Sequence, residues 1–311
     1  MEKLPIIAIV GPTASGKTGF TIELAKELDA EIISFDSMQI YKGMHIASAA
    51  PDDFEKQGIP HHLLEFLEPN DSFSVAEFIK LAREKAYDIA SRGKRVIIAG
   101  GTGLYVNSFL DNIEFSQEDP DPVLREKLNR EFEMQGAEEM LRRLADFDPD
   151  SAKRLHPNNK KRIIRAFEIY LSTGITMTQQ IENSTRNESP FKPFIIGLTF
   201  FEREKLYARI DKRVDIMLEN GLLSEAKRTF DEGAGPTAVQ AIGHKEFFPY
   251  FKGEISFDEA TENLKRETRR YAKRQLTWFR RDERINWIYC DKEEDILSSA
   301  LQILERNGYF G

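Results

Sequence analysis

The segment Gly11-Pro-Thr-Ala-Ser-Gly16-Lys17-Thr18 constrains this chain more than any other. It matches the pattern GxxxxGK[ST]. The run before it, Pro5 to Val10 (PIIAIV), reads as a buried strand, and Lys17 to about Leu28 reads as an amphipathic helix. In that setting the glycines let the backbone curl until its N–H groups converge on phosphate oxygens. The start of the helix adds partial positive charge. Gly11, Thr13, Ala14, Ser15, Gly16, Lys17 and Thr18 are therefore the expected phosphate cradle. Lys17 is placed to reach the terminal phosphate, and the Thr18 hydroxyl is placed to hold Mg²⁺.

Strands and helices alternate through the first hundred residues. Glu31 to Ser34 (EIIS) and Arg95 to Ala99 (RVIIA) read as short buried strands, and Ser74 to Arg92 reads as a helix. This alternation predicts an α/β fold: a P-loop NTPase-like parallel sheet flanked by helices, with ligands at the carboxyl ends of the strands. The pattern changes near Asp111. Residues 118 to 185 are polar and helix-rich, with Pro120 and Pro122 at one end and Pro190 and Pro193 at the other. Phe194 to Phe200 then returns as a strand. The expected organisation is a catalytic core of residues 1–114 and 193–311, interrupted by an all-helical insertion of residues 115–192. Later helices are expected at about 202–231 and 256–281, followed by a short strand, Ile285 to Tyr289, and a terminal helix.

A hydrolytic P-loop protein needs an acid at the end of an apolar strand to position Mg²⁺ and water. RVIIA ends instead in Gly100-Gly101-Thr102-Gly103, and no Asn-Lys-x-Asp guanine-reading sequence occurs. The strand followed closely by a carboxylate is EIIS, which leads into Phe35-Asp36-Ser37-Met38-Gln39. Asp36 is thus a candidate general base, although Asp and Ser after a strand also cap helices. Thr102 is expected on the same rim. Phosphate donors, a carboxylate and a hydroxyl at adjacent strand ends favour group transfer over hydrolysis. His61-His62 follow Pro60 in an expected turn and read as structural.

The chain has 311 residues, 44 Lys+Arg and 52 Asp+Glu, for a net charge of −8. As a bulk figure this speaks against a nucleic-acid partner. Its distribution says otherwise. Lys265 to Arg284 carries nine cations against three acids, and Lys153 to Arg165 carries six against none. Two +6 segments in a −8 chain leave −20 on the rest. Arg266, Arg270, Lys273, Arg274 and Arg281 are spaced to share one helix face, with Tyr271, Trp278 and Phe279 between them. Backbone contact with nucleic acid follows as an expectation. One cysteine, Cys290, permits no intramolecular disulfide and points to a reducing compartment. No secretory signal and no run of about 18 apolar residues is present, so a cytoplasmic protein without membrane contact is expected.

The ordered blocks GPTASGKT, SFDSMQIYKGM, PHHLLE, FSVAEF, IIAGGTGLY, RIIRAFEIY, AIGHKE and TRRYAKRQLTWFRR resemble those of the bacterial tRNA dimethylallyltransferase (tRNA isopentenyltransferase) family, from residue 11 to about residue 281. The resemblance implies transfer of a dimethylallyl group from dimethylallyl diphosphate to N6 of the adenosine 3′ of the anticodon in tRNA. It implies Asp36 as general base, Thr102 as a positioning group, and Lys17 with Thr18-bound Mg²⁺ on the departing diphosphate. Arg209 and Arg213 match family arginines near the diphosphate. By the same resemblance Asp36, Ser37, Met38, Gln39, Thr102, Arg125, Lys161, Arg162, Arg165, Arg270, Lys273 and Arg274 contact tRNA, and the insertion grips the anticodon stem-loop. A monomer is expected. The chain departs from the family pattern at His45, Ala47 and Ala50, at Lys161, and at His244, where an aromatic residue is common. The alternatives are an adenylate isopentenyltransferase acting on free nucleotide, a small-molecule P-loop kinase, and an RNA-binding nucleotide switch.

Overall fold

The computed structural model describes residues 2–113, 121–184 and 187–310. Six strands form one parallel sheet: β1 (Leu4–Val10), β2 (Ala30–Ser34), β3 (His61–His62), β4 (Arg95–Gly100), β5 (Phe191–Thr199) and β6 (Asn286–Tyr289), in the order β3-β2-β4-β1-β5-β6. β-branched residues dominate the central strands because both faces are covered. On β1, Ile6 to Val10 are wholly buried.

In the N-terminal part, helices α1 (Lys17–Glu27), α2 (His45–Ser48), α3 (Asp53–Lys56), α4 (Val75–Ser91) and α5 (Gly103–Leu110) connect the strands. The part between β4 and β5 contains α6 (Pro122–Ala145), α7 (Pro149–Arg154), α8 (Lys160–Thr173) and α9 (Met177–Ser184). After β5 come α10 (Arg203–Glu219), α11 (Leu222–Glu232), α12 (Phe248–Phe251), α13 (Phe257–Phe279) and α14 (Ile296–Arg306). On one face of the sheet, Ile7 and Ile9 pack with Phe20 and Leu24 of α1 and Ala300 and Leu304 of α14. An aromatic cluster joins α4 and α5 to the strand ends: Phe78 meets Phe35 edge-on at 5.0 Å, and Phe109 stacks on Phe191 at 4.4 Å. Ser74 starts α4 through a reciprocal capping box with Glu77, as Ser and Glu at this spacing often do.

The chain divides into two compact units, residues 1–110 with 189–311, and Asp111–Glu188. The second unit has its own core of Leu128, Met140, Leu144, Ile163 and Phe167. Asp148 caps α7 through Ser151 N and also accepts the Thr178 hydroxyl at 2.6 Å, tying α7 to α9.

Three local expectations need correction. Phe191 and Lys192, assigned above to the insertion, belong to β5, where Phe191 pairs with Leu4 and Pro193 stands in register with Ile6. A proline at the start of a strand loses one ladder bond without ending the strand. His61-His62 form the edge strand β3, and the helical block after β5 breaks at Gly221, whose φ is +98°. The expected insertion start at residue 115 and Pro120 lie outside the described residues.

Candidate active site

A cavity of about 350 Å³ opens at the carboxyl ends of the strands in the sheet-containing unit. The loops after β1, β2 and β4, which are neighbours in the sheet, converge on it. Ligands of open parallel α/β sheets collect at that edge.

The loop after β1 forms a cradle. Gly11 has φ +144°, and a Cβ there would lie 2.2 Å from the Leu198 carbonyl oxygen, so only glycine fits. Lys17 is half-buried and lines the cavity, and its Nζ donates to the Pro12 carbonyl at 2.7 Å. Burial, reinforced by the Arg213 guanidinium, pulls the Lys17 ammonium down to about 7. Arg213 lines the same cavity, and burial lowers its affinity for its proton too. Arg209 stands behind the loop and donates from Nε to the Ala14 carbonyl at 3.0 Å. Gly11, Ala14, Ser15 and Gly16 shape the loop, while Thr13, Lys17 and Thr18 face the cavity.

The loop after β2 supplies the acid. Asp36 is half-buried, and its Oδ1 accepts the Met38 N–H at 2.9 Å. Burial raises its pKa, while the Met38 and Gln39 N–H groups and the Lys17 and Arg213 cations pull the other way. Asp36 caps no helix, since the next one, α2, begins at His45; its bond to Met38 closes a turn and leaves Asp36 lining the cavity. From the loop after β4, Thr102 Oγ1 accepts Ser37 N–H at 3.0 Å and donates to Ser37 Oγ at 3.3 Å. Thr102 therefore fixes the loop that carries Asp36.

Reading the sequence for charge missed the group that joins these loops. Gln275 of α13 accepts the Thr13 N–H at 2.8 Å and donates to the Gly101 carbonyl at 3.0 Å. A Cβ on Gly101 would come within 2.1 Å of Gln275 Nε2, so the side chain requires glycine there. Leu264, Thr268, Tyr271 and Gln275 all line the cavity, at a spacing that puts them on one face of α13. That periodicity was the available signal. Burial, with Asp36 next in effect, pushes the Tyr271 phenol well above its ordinary range.

The remaining wall is made by Met44, Ala47, Ser48, Ala49 and Pro51, by Gln240 to Gly243 with Lys245, and by Val214 and Met217 of α10. His61 also reaches the cavity, its Nδ1 donating to the Ile59 carbonyl at 2.8 Å, so it is more than a turn residue. Gln39, expected at RNA, is engaged within the protein. Its Oε1 accepts Ser34 Oγ–H at 2.7 Å, and its Nε2 donates to the Ser48 and Ala49 carbonyls.

The expected basic surfaces are less uniform than the sequence implies. On α13, Lys265 pairs with Asp215 and Arg269 with Asp211, so part of the stripe faces α10. Arg270 pairs with Glu267 at 2.6 Å, Lys273 is exposed, and Arg274 lines the cavity with its guanidinium 5.6 Å from the Tyr271 ring. In the second unit Arg125 makes a two-pronged pair with the buried Glu168, which Arg165 also approaches at 3.4 Å. Lys161 and Arg162 are exposed.

A glycine-shaped loop between strand and helix, a half-buried carboxylate and a cavity with carbon-rich walls suit a group-transfer enzyme of the P-loop type. Known proteins agree. The family model described as IPP transferase matches residues 39–282. The chain is 48% identical over 287 residues to the tRNA dimethylallyltransferase of Bacillus subtilis, covering 92% of this chain and 91% of that one. Its structure is similar to the full-length tRNA isopentenylpyrophosphate transferase of Bacillus halodurans, with a TM-score of 0.72, 41% identity and 99% of each chain covered. It is also similar to a eukaryotic dimethylallyltransferase acting on tRNA, with a TM-score of 0.82, 28% identity, and 99% of this chain and 79% of that one covered. The chain belongs to the IPP transferase family and is a prenyltransferase.

Proposed function

We infer that this chain transfers the dimethylallyl group of dimethylallyl diphosphate to N6 of the adenosine 3′ of the anticodon in tRNA. The observation that carries this reading is that Lys17, Arg213 and Asp36, three half-buried charges, line one cavity. Two cations suit a diphosphate, and a carboxylate beside them suits the proton that the attacking amine must lose.

The adenine N6 lone pair attacks C1 of the dimethylallyl group as the C1–O bond breaks. The diphosphate leaves with the bonding electrons, and the N6 proton passes to the Asp36 carboxylate. Lys17 and Arg213 stabilise the negative charge that grows on the leaving oxygen. They also oppose the burial that raises the Asp36 pKa, favouring its ionised form. Thr102, through Ser37, keeps the Asp36 loop in place. The Thr18 hydroxyl lines the cavity, and a magnesium ion bound through one hydroxyl plus phosphate oxygens fits this set of hard donors. When bound, that ion supplies further charge neutralisation on the diphosphate. Extruding the target adenine costs a few kcal/mol, least from an unpaired loop. The single cysteine supports a reducing compartment such as the cytoplasm.

The test is prenyl transfer from dimethylallyl diphosphate to an anticodon stem-loop RNA and to AMP under the same conditions, with nuclease digestion and detection of N6-(dimethylallyl)adenosine. Product on RNA is expected. Preference for AMP overturns the reading in favour of a free-nucleotide enzyme. Label transfer from γ-labelled ATP overturns it in favour of a kinase.

A further inference from the structure

Two of the places where the sequence departs from the family pattern, His45 to Ala50 and His244, lie far apart in the chain. One buried carboxylate joins them. Glu225 of α11 is 3% exposed and faces three N–H donors. Its Oε2 accepts Ile46 N–H at 2.8 Å, and its Oε1 accepts Ala47 N–H at 2.9 Å and His244 Nε2–H at 2.8 Å. The opposite nitrogen of His244, Nδ1, lies 3.0 Å from the Thr229 hydroxyl. His244 is wholly buried, and the neutral ring with its proton on Nε2 satisfies both contacts. Burial alone raises the pKa of Glu225, but the hydrogen bonds from His244, Ala47 and Ile46 outweigh it and keep the carboxyl below its ordinary range.

The two N–H groups that Glu225 receives belong to the start of α2, which lacks a side-chain cap of its own. The far end of α2 is held by Gln39 through the Ser48 and Ala49 carbonyls. This single turn of helix is therefore clamped at both ends by side chains from other parts of the fold. Its residues form part of the cavity wall: Ala47, Ser48 and Ala49 line it, with Met44 just before. Ile46 and Ala47 pack against the cluster that contains Val214 and Leu264, which line the same cavity. At the other end of the clasp, Gly243 also lines the cavity, and a Cβ there would sit 3.1 Å from Ala47 Cβ. The backbones of the two segments thus approach closely where Glu225 and His244 join them.

We propose that Glu225 and His244 are positioning residues that hold the α2 turn as the wall against which the donor's prenyl group rests. This rests on the function proposed above. The diphosphate is anchored at Lys17 and Thr18, and the five-carbon group carries no polar atom. It is matched by Met44, Ala47, Val214, Met217 and Leu264 and by none of the charged groups. Neither Glu225 nor His244 lines the cavity, so each acts through the backbone it fixes. The ring at position 244 donates to the same carboxylate that accepts the Ile46 and Ala47 N–H groups.

The test is steady-state transfer to a stem-loop RNA with His244→Phe, His244→Gln and Glu225→Gln, together with calorimetric binding of dimethylallyl diphosphate and thermal melting. His244→Phe keeps the ring volume and removes the donor. It is expected to raise KM and Kd for dimethylallyl diphosphate about three- to tenfold, the value of roughly one hydrogen bond. The kcat and the KM for RNA should stay within about twofold. His244→Gln, whose amide N–H replaces Nε2–H, is expected to restore most of the donor affinity. Glu225→Gln, which turns one acceptor into a donor facing backbone N–H, is expected to behave like His244→Phe and carries the test if that variant does not fold. Lower melting temperatures with donor KM unchanged overturn the proposal, and so does failure of His244→Gln to recover affinity. Absence of transfer by the unaltered chain would instead refute the proposed function.

Discussion

Charge is handled in opposite ways in the cavity and on the basic segments. In the cavity, Lys17, Asp36 and Arg213 are half-buried and act on one another through their charges, and among the described residues no direct ion pair engages them. On the basic segments much of the charge is already paired: Lys265 with Asp215, Arg269 with Asp211, Arg270 with Glu267, and Arg165 with Glu168. Withdrawing charges from water without direct ion pairs is costly, and a fold that does so with three of them gains little stability. They are arranged for something that arrives with its own charge. A paired surface cation, by contrast, is first a structural group. The count of lysines and arginines in a segment therefore overstates the charge it has free, whereas the half-buried charges gather at one cavity.

The largest effect that separates these regions is expected at Asp36. Asp36→Ala removes the proton acceptor and is expected to lower the transfer rate by about two to four decades. RNA binding, measured by filter retention, should remain near its original value. An unchanged rate removes Asp36 as the base and breaks the assignment of buried charge to chemistry.

Lys17→Ala comes next. Loss of a charge-assisted hydrogen bond to phosphate is worth roughly 1.5–3 kcal/mol, or about ten- to a hundredfold in diphosphate affinity. Calorimetry with inorganic diphosphate reads this directly, and undiminished affinity refutes the role. The pH dependence tests the same group without mutation. In the free protein the Lys17 ammonium loses its proton near pH 7, because burial disfavours the charge. A bound diphosphate favours the charged form and raises that pKa, so binding takes up a proton at and above neutrality. Affinity should therefore fall as pH rises through about 7, by at most about tenfold per unit. Repeating the titration in buffers of different ionisation enthalpy measures the proton taken up. A flat profile from pH 6 to 9 contradicts the idea that Lys17 awaits its ligand partly neutral.

Much of the fold was legible from short apolar strands alternating with helices, and the phosphate loop announced itself through glycine spacing. Asp36 and Thr102 were legible because a strand end and a following polar residue are local features. The walls were not. Gln275 binds two loops from α13, more than 170 residues from Gly101, and nothing local marks a glutamine as a strut. Glu225 and His244 were hidden for the same reason, since each reaches atoms of a distant segment. Pro193 misled because a proline reads as a boundary, whereas the start of a strand tolerates it. The pairing of Arg125 was hidden because Glu168, its partner, lies on another helix.

The smallest expected effect sharpens the other side of the comparison. Lys161 and Arg162 are exposed at the start of α8, whereas Arg125 is held by Glu168 through both guanidinium edges. Every RNA phosphate that a cation ceases to neutralise flattens the dependence of log K on log salt by a little under one unit. Lys161→Gln with Arg162→Gln is therefore expected to flatten the slope by about one to two units and leave thermal stability unchanged. Arg125→Gln leaves the buried Glu168 with only the longer Arg165 contact at 3.4 Å, costs about 1–3 kcal/mol in the insertion unit, and lowers its melting temperature with little change in slope. If Arg125→Gln flattened the slope as much as the double substitution while stability held, pairing with Glu168 would not keep a cation from RNA. The contrast between surface charge held in ion pairs and cavity charge left without them would then lose its predictive use.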